Sequence, residues 1–484
     1  MAPYYRKFYT LNVPDEATSQ HLGLNYITDE DRRARGPIQV SYTGVVQDPL
    51  SKAWVDTFKS LEHNMRGNPY SGKSIGGYSN AATVDPVSKT RSYVATAYYA
   101  PVSERPNLHV LTEALVESIA FAFSMDKHVA NAVKFTHHGE SRTMGVRKEV
   151  IVAAGVFQSP KILELSGIGD SRLLNTLGIP VVVDNPNVGE NLQDHIMTGI
   201  SFEVKDGVIT GDSLMRGDSE AIKVAEQLYQ QYKAGPLTVG GIASHAFMPM
   251  IDLDPSTGTS AELKKLFDQY PPTPENKLHY EAVRNILEAP DEGAGALFMF
   301  LVQSNLHNDA SAKDYLQNLQ PGNFISLGAN QSHVFSRGAT HIVSTKPSDA
   351  PKIDPRYLSH PLDIELMARH VQFLEKLARS SPLSDYLKPD GKRNHPTAYV
   401  KDLEAAKDYL RTTALSNYHA TSTCAMLPKA QGGVVDHQLR VYGTQNVRIV
   451  DASIMPMIPR ANPQSSVYAV AERASDLIKA DYKL

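Results

Sequence analysis

Apolar and polar positions change their spacing at several points along the chain, most clearly at residues 150–170. The stretch VIVAAGVFQSPKILELSGIGD begins with a short apolar run, passes through small residues and continues as a periodic segment that ends on glycine. This order is typical of a buried strand, a turn and a helix. A second apolar run, NVRIVDASIMP, predicts another strand, and its small residues Ala452 and Ser453 let a ligand approach the backbone closely.

Helical periodicity is present in further segments. DIELMARHVQFLEKLARS places apolar residues at steps of four, three and four from Met367 to Ala378, which predicts a helix with one apolar face. VKDLEAAKDYLR has a similar pattern, and residues 218–232 and 274–288 are candidate helices between joints rich in proline and glycine. His370 has no suitably spaced ligand beside it and is interpreted as structural.

Alternating apolar residues predict strands from Leu108 to Ile119, and a hairpin in residues 132–155 returns into the strand described above. Residues 1–100 are rich in tyrosine, glycine, asparagine and proline, which predicts loops that cover another part of the protein rather than a core. Residues 201–330 carry no motif with a clear interpretation and are expected to form a substrate-facing insertion.

Composition narrows the classes of partner. The 484 residues are 42% apolar and 21% charged, enough for a large core and for two or three domains in contact. A net charge of −4 gives no attraction for nucleic acid or an anionic membrane, so a small molecule is the expected partner. The first ten residues lack the apolar segment of a secretory signal, and no run is long enough to span a membrane; for the sequence as it stands we expect a cytoplasmic location.

Cysteine and histidine content bears on covalent and metal chemistry. Cys424 is the single cysteine, so no intramolecular disulfide or thiolate zinc site is possible, and a buried inert thiol is expected. The pair His137 and His138 has no third ligand at a suitable spacing, which argues against a metal site there.

The segment ANPQSSVYAVAERASDLIKADY predicts a helix near the end of the sequence. Asn462 is a favourable N-cap and Pro463 suits the first turn. The positive end of such a helix stabilises an anion that lies close to it. The residues expected on its buried face are Val467, Ala471, Ala474 and Ile478.

Four ordered segments together resemble one family. GVFQSPKILELSGIG at 155–169 resembles the second signature of the glucose–methanol–choline (GMC) flavoprotein oxidoreductases, and NVGENLQDH at 187–195 resembles the segment that follows it. NYHATSTCAM at 417–426 is similar to the stretch that bears the family's first catalytic histidine, and residues 432–478 resemble its closing block. The resemblance covers about 1–200 and 330–484, and is strongest to fungal members of the aryl-alcohol oxidase and secondary-metabolite type.

Two positions depart from the family pattern within these segments. Val156 stands where a smaller residue is usual, and Ser422 replaces the usual glycine. A larger departure concerns the GxGxxG turn that holds the pyrophosphate of FAD in a βαβ unit. Gly167-Ile-Gly169 lacks a third glycine and Gly76-Gly77 follows no predicted strand, so we expect the chain to begin inside the family's domain.

The resemblance implies an α/β fold: an incomplete, Rossmann-like FAD-binding domain and a mixed α+β substrate domain. We expect the FAD-binding domain at 101–200 and 421–484, and the substrate domain at 201–420 with 1–100 as loops and cover. The implied activity is FAD-dependent oxidation of a primary or secondary alcohol by hydride transfer to flavin N5. Two alternatives stay open: a non-catalytic remnant of the family without stable FAD, and a lyase or cyclase that uses the flavin structurally.

By the same resemblance His419 is the base that takes the hydroxyl proton, and Asn462 is its partner. Asn462 cannot take a proton at neutral pH, so it would orient the substrate, although it also suits a helix cap. The implied roles in the cofactor site are adenine binding by the backbone, flavin contact, contact to the pyrophosphate and ribityl region, and a helix end aimed at the flavin pyrimidine ring. The residues are Val116, Tyr418, Asp451, Ala452, Pro463 and Gln464. Core packing is the alternative for Val116 and Tyr418, and a plain turn is the alternative for Asp451.

Overall fold

The computed structural model describes residues 1–43, 48–124, 127–239, 242–251, 259–305 and 319–484. The α-helices are α1 Ala2–Lys7, α2 Glu16–Leu22, α3 Asp29–Arg32, α4 Pro49–Ser60, α5 Gly155–Leu165, α6 Ser171–Thr176, α7 Asp212–Met215, α8 Ser219–Tyr232, α9 Thr259–Gln269, α10 Lys277–Glu288, α11 Pro361–Ala378, α12 Leu403–Thr413 and α13 Gln464–Tyr482. The strands are β1 Tyr9–Asn12, β2 Ile38–Ser41, β3 Arg66–Asn68, β4 Lys73–Ser79, β5 Ala114–Ser124, β6 Lys127–His137, β7 Glu140–Gly145, β8 Val150–Val152, β9 Ile168–Gly169, β10 Val183–Asp184, β11 Ile196–Glu203, β12 Ser244–Met248, β13 Gly295–Phe300, β14 Phe324–Gln331, β15 Ala339–His341, β16 Lys352–Asp354, β17 Leu415–Ser416 and β18 Val447–Ile449.

The largest sheet has seven strands in the order β17-β11-β14-β13-β12-β4-β3, and every neighbouring pair is antiparallel. Helices α4, α11 and α12 pack against it, and Ile200, Leu297 and Leu327 from its central strands are fully buried in the shared core. The periodicity of α11 explains this packing, because Met367, Val371, Leu374 and Ala378 all lie on its buried face. The predicted fold class of this part of the protein, a mixture of helices and sheet, is confirmed.

Residues 1–100 contribute to cores, so the expectation that they form only covering loops is wrong. Trp54 on α4 is fully buried in the main core, and its indole Nε1 donates to the carbonyl of His245 at 3.0 Å. Strand β4 pairs with β12 inside the seven-stranded sheet. Strands β1 and β2 pair in parallel over a second core that includes Phe8 and Ile38. The high glycine content of this region is compatible with strands that pack closely.

A second body is built around a parallel pair, β8 and β18. The antiparallel sheet β5-β6-β7 and helices α5 and α13 surround this pair, and one core joins residues from 119–188 with residues from 424–474. The strand, turn and helix predicted for 150–170 are confirmed as β8 and α5. The domain boundaries given above stay predictions, since the core shows which segments meet and not where one domain ends.

Other elements agree with the sequence pattern in position and differ in detail. The helices predicted at 218–232 and 274–288 are confirmed as α8 and α10. The strand expected from Leu108 begins only at Ala114, and Leu108 is exposed. The predicted buried face of α13 is wrong in part: Ala474 is buried, Val467 and Ile478 are half-buried, and Ala471 is exposed.

Composition led to two predictions, one about the thiol of Cys424 and one about membrane-spanning segments. Cys424 is fully buried, which confirms the predicted buried thiol, and burial raises the pKa of this thiol well above its usual range. Among the described residues, no helix combines the length and apolar character needed to cross a membrane.

His341, at the end of β15, lies between two carboxylates and connects this strand to α5. The Nδ1 atom of His341 lies 2.7 Å from Glu164 Oε1, and its Nε2 atom lies 3.1 Å from Glu190 Oε1. The other oxygen of the buried Glu164 accepts from the backbone amide of Ile342 at 2.9 Å. These two carboxylates raise the pKa of His341 to about 9. The imidazolium is therefore the form that the folded protein favours.

This arrangement predicts a loss of stability at alkaline pH. Because the folded pKa of His341 is raised, its contribution is complete below the unfolded pKa of about 6.5 and disappears as the pH rises through about 9. We expect the free energy of unfolding to fall by about 1–2 kcal/mol over this range, allowing for solvent screening and for the burial of Glu164. Urea unfolding of the wild type and of His341→Gln across the range measures this loss. An equal alkaline loss in both proteins would contradict the assignment.

Candidate active site

His419 and Asn462 come from segments 43 residues apart and meet at one point. The amide Nδ2 of Asn462 lies 2.9 Å from His419 Nε2. His419 follows β17 and is buried, whereas Asn462 precedes α13 and is exposed, so the pair lies where the protein interior meets the surface. The alternative of a helix cap is wrong for Asn462, because the helix begins at Gln464 after Pro463 and the Asn462 side chain reaches His419 instead.

Behind His419 lies a second histidine that the sequence analysis missed. The Nδ1 atoms of His195 and His419 are 3.0 Å apart, and the two rings are nearly perpendicular at 85°. His195 is completely buried, and its Nε2 atom lies 2.9 Å from the carbonyl oxygen of Ser332. His195 ends the segment NVGENLQDH, so the resemblance had placed it in a family motif without giving it a role. The sequence feature that could have identified His195 is its position, a polar imidazole directly before the apolar strand β11.

The neighbouring residue Asp194 holds the loop that carries His419. Its buried carboxylate accepts from the backbone amide of His419 at 3.0 Å, from Ser416 Oγ at 2.5 Å and from the Tyr357 hydroxyl at 2.6 Å. Burial raises the pKa of this carboxyl, although the three donors act in the opposite direction. Asp194 therefore fixes the backbone at His419, while His195 contacts its ring.

Burial sets the charge of the two histidines. It lowers the pKa of His419 to about 4 and, together with the neighbouring His419, lowers the pKa of His195 to about 3. Both rings are therefore neutral at ordinary pH. A neutral imidazole has one nitrogen that accepts a proton, which a general base needs.

The backbone around His419 adopts conformations that are rare for residues with side chains. Tyr418 has φ +58° and Ser422 has φ +83°, both in the left-handed region. This explains why the family pattern has glycine at the position of Ser422, since glycine adopts that region without steric cost. Tyr418 exposes 60% of its surface, so core packing, the alternative interpretation of this residue, is wrong.

Of the predicted cofactor residues, Asp451 and Ala452 directly follow β18, at the carboxyl end of the parallel pair β8 and β18, where ligands of open parallel sheets bind. A Cβ atom added to Gly155 would meet no atom within 4 Å, so open space lies at the start of α5. At α13 the first intrahelical bond from the turn is donated by Val467 to Pro463, which leaves the preceding amides, Gln464 among them, for another acceptor. Open space at the start of α5 and free amides at the start of α13 are both features that suit the anionic and polar parts of a flavin.

The remaining predicted residues are placed as follows. Val116 lies in β5 opposite Phe135, half-buried, beside a register shift that interrupts the ladder before Ser118. Ala452 is half-buried and begins a short 3-10 turn after β18. Their contacts with a cofactor stay predictions.

Asp451 uses its carboxylate within the protein. One oxygen accepts from the Gly155 amide at 3.0 Å and from Ser159 Oγ at 2.5 Å, and the other accepts from the amide and hydroxyl of Ser453 at 2.8 and 2.5 Å. It thereby joins the start of α5 to the turn after β18. Asp451 is therefore not a plain turn residue, as the alternative interpretation had it. Its carboxylate connects the carboxyl ends of β8 and β18.

Comparisons with known proteins identify the family of this chain. The N-terminal family model of GMC oxidoreductases matches residues 12–197, and the C-terminal model matches residues 334–471. The GMC oxidoreductase family protein Mala s 12 of Malassezia sympodialis is 34% identical over 468 residues, which cover 96% of this chain and 71% of the relative.

Solved structures show the same likeness. An FAD-dependent oxidoreductase from Chaetomium thermophilum superposes with a TM-score of 0.82 at 27% identity, covering 100% of this chain and 80% of the other. A fungal aryl-alcohol oxidase superposes with a TM-score of 0.79 at 25% identity, covering 100% and 79%. The two family models together match more than half of the chain, and the chain belongs to the GMC oxidoreductase family.

Proposed function

We propose that the protein oxidises a primary or secondary alcohol with FAD as cofactor, and that His419 is the base. The observation that carries the proposal is the contact between Asn462 Nδ2 and His419 Nε2, because it brings a buried neutral base and an amide donor to one point beside the start of α13. Family membership implies FAD, and the likeness to an aryl-alcohol oxidase supports an alcohol as the substrate class.

The two side chains have different tasks. When the alcohol binds, Asn462 donates from Nδ2 to its oxygen in place of the bond to His419 Nε2, which frees the Nε2 lone pair and orients the hydroxyl group toward it. His419 Nε2 accepts the hydroxyl proton and becomes an imidazolium. The carbon–hydrogen bond then breaks with its electron pair, the carbon–oxygen single bond becomes a double bond, and the product is an aldehyde or ketone. Bound FAD supplies the acceptor for this hydride.

The chain also provides groups that suit the charge of the reduced cofactor. The amino end of α13, at Pro463 and Gln464, carries a partial positive charge of roughly half a unit, which favours an anion close to it. The same preorganised dipole lowers the free energy of charge that develops during the reaction. Tyr418 is exposed beside His419, and this exposure supports a contact with the planar flavin ring.

A spectroscopic experiment tests this proposal. The purified protein is mixed with FAD, freed of unbound flavin and examined for visible absorption, after which an aromatic alcohol is added without oxygen. We expect retained flavin that loses its absorption when the alcohol is added. A protein that retains no flavin supports the alternative of a family remnant. Retained flavin that no alcohol reduces supports the lyase or cyclase alternative.

A further inference from the structure

We infer that His195 is a positioning residue that holds His419 in the one tautomer able to act as base, with the proton on Nδ1 and the lone pair on Nε2. The inference rests on the proposed function for its catalytic consequence, but the tautomer itself follows from hydrogen bonding alone. Three contacts carry it, and they form a line from Ser332 through His195 and His419 to Asn462.

The backbone carbonyl of Ser332 fixes the first proton. A carbonyl oxygen only accepts hydrogen bonds, so a His195 Nε2 atom 2.9 Å away must donate. His195 is 0% exposed and has a pKa lowered to about 3, and it is therefore neutral. A neutral imidazole carries one ring proton, and here that proton is on Nε2. Nδ1 of His195 is consequently an acceptor.

The second proton follows from the first. The two Nδ1 atoms are 3.0 Å apart, a hydrogen-bond distance that requires one proton between them. Since His195 Nδ1 carries none, His419 Nδ1 must donate. A neutral His419 then has no proton on Nε2, and this atom accepts from Asn462 Nδ2 at 2.9 Å.

A hydrogen bond donated in the opposite direction, from His195 Nδ1 to His419 Nδ1, is unfavourable. If His195 donated from both nitrogens it would be a buried cation, and a buried cation without a partner is costly. The neighbouring Asp194 offers no compensation, because its carboxylate faces the amide of His419, Ser416 and Tyr357. The backbone carbonyls of Ser332 and Pro459 favour a charged His195, but burial, His419 and His333 outweigh them and lower its pKa to about 3.

The line of contacts ends on a backbone carbonyl, which has no proton to release and no basic site for one. A proton taken by His419 therefore leaves from the Nε2 side, where Asn462 is exposed. His195 holds the base in place and takes no part in removing the proton from the site.

Nitrogen NMR of protein labelled with ¹⁵N-histidine tests the tautomer without FAD or substrate. The signals of His419 are assigned by their absence in His419→Gln. We expect His419 of the wild type to be protonated at Nδ1 and unprotonated at Nε2 at neutral pH. The opposite tautomer in the wild type would overturn the inference, whatever any variant does.

Substitution tests the catalytic consequence by rapid-reaction kinetics of flavin reduction. His195→Phe keeps a ring but removes the acceptor, so we expect His419 to lose its single tautomer and the rate constant to fall by at least tenfold, within the roughly 10²–10⁴-fold that a positioned base contributes. His195→Asn retains an acceptor near Nδ1 and is expected to restore most of the rate. An unchanged tautomer and rate in His195→Phe would overturn the inference.

His279→Phe is the matched control. His279 is also buried, and its Nε2 atom lies 2.7 Å from the carbonyl oxygen of Val334, so this variant removes a comparable hydrogen bond at another place. We expect it to lower the melting temperature but to leave the His419 tautomer and the rate unchanged. Should the wild type itself show no alcohol-dependent reduction, the proposed function fails while the NMR result still decides the tautomer.

Discussion

Replacing His419 by glutamine is expected to slow flavin reduction by an alcohol by about 10²–10⁴-fold while the protein retains its flavin. Glutamine keeps a hydrogen-bonding side chain of similar reach, but its amide does not accept a proton at neutral pH. The rate constant for loss of flavin absorption after anaerobic mixing with alcohol measures the effect. His437→Gln, at an exposed histidine elsewhere, is the control and should react like the wild type.

The pKa of His419 also sets the pH below which the rate of flavin reduction falls. The pKa of His419 is lowered to about 4 by burial, so the neutral ring predominates above that value. We expect the reduction rate constant to be nearly independent of pH near neutrality and to fall as the pH drops toward about 4, because the imidazolium has no free nitrogen to accept a proton. A rate that fell already near the ordinary histidine pKa of about 6.5 would contradict the burial of this ring.

The second large effect concerns stability. Asp451→Ala is expected to lower the free energy of unfolding by about 2–5 kcal/mol, because it leaves two backbone amides and two hydroxyls at the start of α5 and in the turn after β18 without their acceptor. Urea unfolding monitored by fluorescence and circular dichroism measures the loss.

Asp451→Asn distinguishes this structural role from a direct contact with the cofactor. Asparagine keeps one acceptor oxygen and places a donor against the remaining two groups, so we expect an intermediate loss of stability. If instead both variants unfolded like the wild type and only their affinity for FAD changed, the carboxylate would act on the cofactor rather than within the protein.

The sequence was sufficient for the pair at the centre of the site. His419 and Asn462 belong to two separate motifs, and the structure brings them to 2.9 Å. The strand and helix at 150–170 and the helices α8, α10 and α11 were also predictable, because their apolar spacing is local and their ends carry glycine, proline or capping residues.

The remaining features depend on contacts between distant residues. Strand β4 is rich in small and polar residues, and its place in the sheet is set by β12, more than 160 residues later, so its own pattern did not identify it. His195 gained its role only through His419 and Ser332, which lie far from it in sequence. Likewise, the direction of the Asp451 carboxylate depends on Gly155 and Ser159.

The pairing of β8 with β18 has a consequence for folding during synthesis. Val150 is opposite Val447, so nearly three hundred residues must leave the ribosome before this ladder forms. Pairings of such long sequence separation form slowly, because the entropy of closing the intervening loop precedes any gain from the contact. The seven-stranded sheet, apart from β17, is complete in sequence by Gln331 and is available to fold first. The order of synthesis thus favours early pairing within the seven-stranded sheet and late pairing of β8 with β18.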